Sequence, residues 1–160
     1  MEQPLALVIA FIALVAVLFG LFASAAALFP RGVWLAQRAA EESPGRSLLI
    51  GAVNAAFVLA SSLTLLATQG PILTFIGGVV AAAGLAGLAI GLAGVATMVG
   101  KRLTRQASGL SEILAGTGML SLACATPIFG WFIVLPGIVF LGLGSFILGW
   151  FRRRAWSAQL

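Results

Sequence analysis

The side chains able to transfer protons, attack carbon centres or hold metals are few here: eight Arg, one Lys, four Glu and one Cys, with no His and no Tyr in 160 residues. Histidine ligation of haem or copper is therefore excluded, and one thiol cannot hold an iron–sulfur cluster. Nucleophilic catalysis needs a base beside the nucleophile. Cys124 lies between Ala123 and Ala125 with no such partner, so it reads as a packed, inert thiol. Gly84-Leu85-Ala86-Gly87 is no phosphate loop, because no strand precedes it and no Lys-Ser/Thr pair follows it. The expectation is a non-enzyme without metal or cofactor, whose associated small molecules are lipids. The residues leave open whether a pigment or quinone binds.

Those few charges must be placed by what surrounds them. Hydrophobic residues make up 61% of the chain and charged residues 8%, with a mean hydropathy of +1.15, whereas soluble domains carry about 25% charged residues. The composition is that of an integral membrane protein. The net charge of +5 suggests nucleic acid until the positions are read. The nine basic residues fall in three clusters: Arg31, Arg38 and Arg46; Lys101, Arg102 and Arg105; Arg152, Arg153 and Arg154. None has the interleaved aromatics of a base-reading surface, so the expected contacts are anionic lipid headgroups or a partner protein, not nucleic acid.

Between the clusters lie apolar stretches of 54 residues (Ser47 to Gly100) and 46 residues (Gln106 to Phe151). Each is too long for one crossing of a hydrocarbon core about 30 Å thick, so each is expected to cross twice. With one span ahead of them, the chain is expected to be a single all-α polytopic domain over 1–160. Its five transmembrane helices are placed near 5–29, 48–68, 72–99, 111–126 and 129–151. Basic residues mark the cytoplasmic side, which puts loops 30–47 and 100–110 and the tail 152–160 inside, and the N-terminus outside. The outer turns are Thr68-Gln69-Gly70-Pro71 and Thr126-Pro127-Ile128-Phe129-Gly130, each broken by proline. Segment 111–126 reaches only about 24 Å, so the expectation is that it starts earlier, tilts little, or forms a re-entrant pair with its successor. A rival reading makes 111–151 one broken span and puts the last arginines outside. Ala23-Ser24-Ala25 resembles a signal-peptide cleavage site. The acid in Met1-Glu2-Gln3-Pro4, with Arg31 and Arg38 after the apolar run, reads instead as an uncleaved anchor.

Helix packing in lipid depends on small residues that let backbones approach. Gly77, Gly84, Gly87, Gly91 and Gly94 follow spacings of seven, three and four along the third span, and Ala13, Ala16, Gly20, Ala23 and Ala27 offer a similar seam on the first. Gly137, Gly142, Gly144, Ser145 and Gly149 add small surfaces near the C-terminus. Asn54 is the one strongly polar side chain at depth, expected to bond across helices to Ser61, Ser62, Thr64, Thr117 or Ser121. Ser47 and Ser111 are placed to cap the second and fourth spans, with Glu112 adding charge to a first turn. Val33, Trp34 and Leu35 among Arg31, Gln37 and Arg38 predict a short helix at the headgroup layer or prolonging the first span. Trp34, Trp131, Trp150 and Trp156 read as interfacial anchors.

Several of these stretches resemble a known family. Phe29-Pro30-Arg31, Ser43-Pro44-Gly45-Arg46-Ser47-Leu48-Leu49-Ile50-Gly51, Gly70-Pro71-Ile72-Leu73, Pro127-Ile128-Phe129-Gly130-Trp131 and Gly142-Leu143-Gly144 resemble an uncharacterised bacterial membrane domain. In that family the helical domain often follows a polymer-forming, bactofilin-like β-helix, which these residues do not include. The resemblance implies a helical bundle in a bacterial inner or internal membrane and carries over no catalytic residue. Two functions follow as expectations. One is a non-catalytic accessory or scaffold subunit packing with lipid and with other membrane subunits or its own copies. The other is a small facilitator of a neutral or lipid-like molecule, with Asn54 as its polar handle.

Overall fold

The computed structural model describes residues 2–67, 70–104, 109–126 and 128–157, with side chains over 8–67, 70–104, 109–126 and 128–152. Its helices are α1 (Glu2–Leu28), α2 (Pro30–Glu42), α3 (Pro44–Ala67), α4 (Pro71–Leu103), α5 (Leu110–Cys124) and α6 (Leu135–Ser157), the last led by a π-helical turn over Gly130–Val134. Among the described residues there is no strand, and the fold is all-α and polytopic. Val8–Leu28, Pro44–Ala67, Pro71–Leu103 and Gly130–Arg152 are long and apolar enough to cross a membrane. Their outward faces carry side chains such as Phe75, 74% exposed, and Phe132, 80% exposed, which suit lipid and not water.

Proline shapes the path of the chain. Phe29 (φ −127°) and Ser43 (φ −147°) each precede a proline, whose ring disfavours the α conformation at the residue before it. The hydrogen-bond ladder nevertheless continues through both corners. Phe29 N–H donates to Ala25 at 2.9 Å and Val33 N–H to Phe29 at 3.0 Å; Ser43 N–H donates to Ala39 at 3.1 Å and Ser47 N–H to Ser43 at 3.0 Å. The expected loop 30–47 is thus almost wholly helix, and α3 starts at Pro44 instead of 48. Pro136 acts differently. Its ring would press on the carbonyl four residues back, and the ladder widens just before it, with Leu135 N–H donating to Gly130.

Close contacts fix the relative directions of the helices. Gly77 abuts Leu65 and Leu66 while Gly84 abuts Val58, so α3 and α4 are antiparallel; Gly116 meets Ala96 and Gly100 meets Glu112, so α4 and α5 are too. Gly130 lies on the terminal carbonyls of α5, at Ala123 and Cys124. Further along α6, Gly149 rests on Leu35 of α2, and Arg152 Nη1 lies 3.4 Å from Ser43 Oγ. One end of the bundle therefore gathers α2, the start of α3, the end of α4, the start of α5 and the C-terminal part of α6. It carries Arg31, Arg38, Arg46, Lys101, Arg102 and Arg152. Arg105 and the side chains of Arg153 and Arg154 lie outside the described residues, as do Thr68, Gln69, Pro127 and the side chain of Trp156.

This arrangement excludes the single broken span over 111–151, because Arg152 returns to the end from which α5 departs. Of the five expected spans, four correspond to helices of spanning length. The segment expected at 111–126 is the 15-residue α5, about 22 Å long and short of a full crossing. This shorter apolar helix packs antiparallel to α4. Helix α4 extends to Leu103, and α6 continues through Ser157 into the expected tail.

Candidate functional site

The glycines of α4 do not form one seam for one neighbour. Gly77 and Gly84 face α3, Gly87 and Gly91 face Phe146 and Gly142 of α6, and Gly94 faces Val33, Ala36 and Gln37 of α2. Gly100 continues the series against Glu112 of α5. Turning gradually around the helix, these positions let α4 touch four partners through its backbone. At seven glycines a Cβ would run into a carbonyl: Gly51 into Phe140, Gly91 into Gly142, Gly100 into Glu112, Gly116 into Ala96, Gly130 into Cys124, Gly144 into Ser47, and Gly149 into Leu35. Backbones this close exclude water and solute between the helices and permit weak Cα–H···O contacts. Gly51, Gly100 and Gly116 were not among the expected seam. The four-residue step from Ser47 to Gly51 is the sequence signal for the first of them.

The seam expected on α1 is not used within the chain. Ala13, Ala16, Gly20 and Ala27 are exposed and Ala23 is half-buried, and a Cβ on Gly20 would meet nothing. The buried face of α1 is larger in side-chain volume, with Phe22 and Ala25 buried and Leu18, Phe19 and Ala26 packed beside them on Val33, Ala93, Ala96 and Ile113. Bulky Phe22 fills the gap to the bundle, so the small residues point away. Near the C-terminus, Gly142, Gly144, Ser145 and Gly149 are buried as expected of a seam, whereas Gly137 has open space around it.

Polar side chains in the spans mostly turn back on their own helices. Asn54 Nδ2 donates to Ile50 O at 2.8 Å, not across helices. Ser61 donates to Phe57 at 2.7 Å, Thr64 to Ala60 at 2.8 Å and Thr117 to Ile113 at 2.7 Å. A hydroxyl one turn from a free lone pair of its own carbonyl reaches it without any help from a partner. Ser47 is the exception. It lies inside α3 instead of capping it, fully buried, and its Oγ donates 3.3 Å to Ala39 O of α2. Ser111 does not cap α5 either. The N-cap is Gly109, held at φ +70°, a conformation that favours glycine, while Glu112 does occupy the first turn. Cys124 is half-buried at the end of α5.

The amphipathic α2 is the short helix expected here, set off from α1 by the Phe29 corner. Val33, Ala36, Gln37, Ala39 and Ala40 are buried, wedging it against α4 and α6. On its outer side Arg38 pairs with Glu42 at 3.0 Å and lies 5.2 Å above the Trp34 ring. Exposed pairs of this kind contribute little stability. Beside α2 opens a crevice of about 200 Å³ lined by Ala26, Pro30, Val33, Trp34, Gln37, Thr97, Gly109, Glu112 and Ile113. A second groove of about 220 Å³ is wholly aromatic and aliphatic, formed by Phe146, Ile147, Trp150 and Phe151 on α6. Trp131 and Trp150 are exposed, consistent with interfacial anchoring. Among the described residues no three or more His, Cys, Asp or Glu side chains converge on a point.

Compared with protein-family models, with curated proteins and with solved structures, the chain matches none.

Proposed function

We propose that the protein is a non-catalytic accessory or scaffold subunit of a bacterial-type inner or internal membrane, with its basic end in the cytoplasm. The observation that carries this reading is the set of backbone contacts at Gly51–Gly144, Gly91–Gly142, Gly100–Glu112 and Gly116–Ala96. They close the interior as a rigid support and weigh against a conduit through it. Asn54, the polar handle that a facilitator would need, is already bonded to its own helix. The glycines Gly77, Gly84, Gly87, Gly91 and Gly94 of α4 are consumed inside the chain, whereas Ala13, Ala16, Gly20 and Ala27 on α1 are left for a neighbouring subunit or a second copy, together with the exposed Gly78, Ala82 and Ala86 of α4. Arg31, Arg38, Arg46, Lys101, Arg102 and Arg152 face lipid headgroups or a soluble partner, and the resemblance to a domain that follows polymer-forming β-helices makes a filament one class of partner.

The test is purification from native membranes in mild detergent with quantitative mass spectrometry. A stoichiometric membrane partner or a defined homo-oligomer is expected, and Gly20→Leu should weaken that association while leaving the purified chain folded. Recovery of the chain alone as a monomer, together with solute flux in vesicles reconstituted with it, would replace this reading by the facilitator.

A further inference from the structure

The basic end contains one carboxylate that the surrounding cations do not neutralise. Glu42 pairs with Arg38 and Glu41 accepts from Gln37, but among the described residues Glu112 has no ion-pair partner, and it lines the crevice between α1, α2, α4 and α5. Two further acceptors line the same crevice. Gln37, only 6% exposed, uses its amide N–H on Glu41 at 2.8 Å and so keeps its carbonyl oxygen available. Thr97 donates its hydroxyl hydrogen to Ala93 O at 2.7 Å, leaving lone pairs on Oγ1. Three acceptors, one of them charged, match the three N–H donors of a primary ammonium. The other walls are apolar, at Ala26, Val33 and Ile113. Arg31 directly follows the lining residue Pro30 in the chain, and Lys101 lies one helical turn beyond the lining residue Thr97; both are exposed and suited to a phosphate.

We propose that this crevice binds an aminophospholipid of the phosphatidylethanolamine type, its ammonium on Glu112, Gln37 and Thr97, its phosphate toward Arg31 and Lys101, and an acyl chain along Ala26, Val33 and Ile113. The signs are opposite to those of a general anionic-lipid surface, because the charge inside the crevice is negative and the cations follow its lining residues along the chain. A choline headgroup has the same charge but no N–H to donate, and a glycerol headgroup has no cation. The proposal rests on the reading of the chain as a lipid-embedded bundle, yet it is separable from the accessory role, which is judged by partner recovery and not by lipid identity.

The experiment is native mass spectrometry of the full chain released from nanodiscs containing equal amounts of phosphatidylethanolamine, phosphatidylcholine and phosphatidylglycerol. The wild type should retain the ethanolamine lipid with about tenfold preference over each of the others, the factor that one charge-assisted hydrogen bond supplies. Glu112→Gln should bring the preference to parity and Glu112→Asp should keep it. Glu112 also favours the start of α5 through the helix dipole, so Thr97→Val serves as a second variant that leaves that turn intact; it should lower the preference about fivefold. Absence of a preference in the wild type, or its persistence in both Glu112→Gln and Thr97→Val, overturns the proposal. Displacement of the lipid by excess soluble phosphoethanolamine also overturns it, by reassigning the crevice to a free amine.

Discussion

Ser47 and Asn54 lie two turns apart on α3, and their polar groups have opposite destinations. The hydroxyl of Ser47 bridges to Ala39 of α2 across the Ser43 corner, whereas the amide of Asn54 stays on Ile50. Ser47→Ala should therefore lower stability by about 0.6–1 kcal/mol, the usual worth of an interhelical hydrogen bond in a membrane protein. Asn54→Leu should change it by no more than about 0.5 kcal/mol. Equilibrium unfolding in mixed micelles measures both, and a larger loss at Asn54 than at Ser47 would reverse the assignment. Polarity at depth is plain in the sequence, so Asn54 is easy to single out. The partner it chooses is not, because the carbonyl four residues back is always present and competes with every tertiary acceptor. Ser47, by contrast, resembles a helix start only until Pro44 is recognised as the first residue of α3.

The same competition between local and tertiary information governs the helices. The spacing of Gly77, Gly84, Gly87, Gly91 and Gly94 marks α4 as a packing helix, and each of these glycines lies against a neighbouring helix. Spacing alone does not say which neighbour each glycine meets, and it misleads for α1, whose outward stripe has the same pattern. What decides is the complementary surface: Phe22 needs a recess between helices, while Ala13 and Gly20 do not. Substitutions separate the two classes. Gly51→Val and Gly144→Val should each destabilise by about 3 kcal/mol or more, since a backbone carbonyl cannot rotate out of the way as a side chain does. Gly20→Ala and Gly137→Ala should be neutral or stabilising by up to about 1 kcal/mol, from helix propensity with no clash. Thermal melting in a single detergent ranks all four, and equal losses at Gly20 and Gly51 would refute the seam assignment. Pro30, Pro44 and Pro136 were equally legible as signals. Their consequences, two loopless corners and a π turn, depend on whether the flanking ladder can be rejoined, which only packing decides.

At the scale of the whole molecule, the three basic clusters were the most informative letters in the sequence, and the structure does bring the described members to one end. Cysteines placed singly at Arg46, Lys101 and Arg31 in a Cys124→Ala background should react with an impermeant maleimide from one side of sealed vesicles only. Cysteines at Ile72 and Ile128, exposed near the opposite turns, should not react from that side. Labelling of Arg46 and Lys101 positions from opposite sides would dismantle the hairpins. Length arithmetic was less decisive, because it counts residues and not their inclination. The 46-residue interval holds helices of 15 and 23 residues, and the second alone has spanning length. The shorter helix has a mechanical effect on its surroundings. Where α5 stops about 8 Å below the far surface of an ordinary hydrocarbon layer, acyl chains must bend over its tip or the leaflet must dip toward it. Bilayers of short-chain lipids should therefore accommodate α5 with less distortion than those of long-chain lipids.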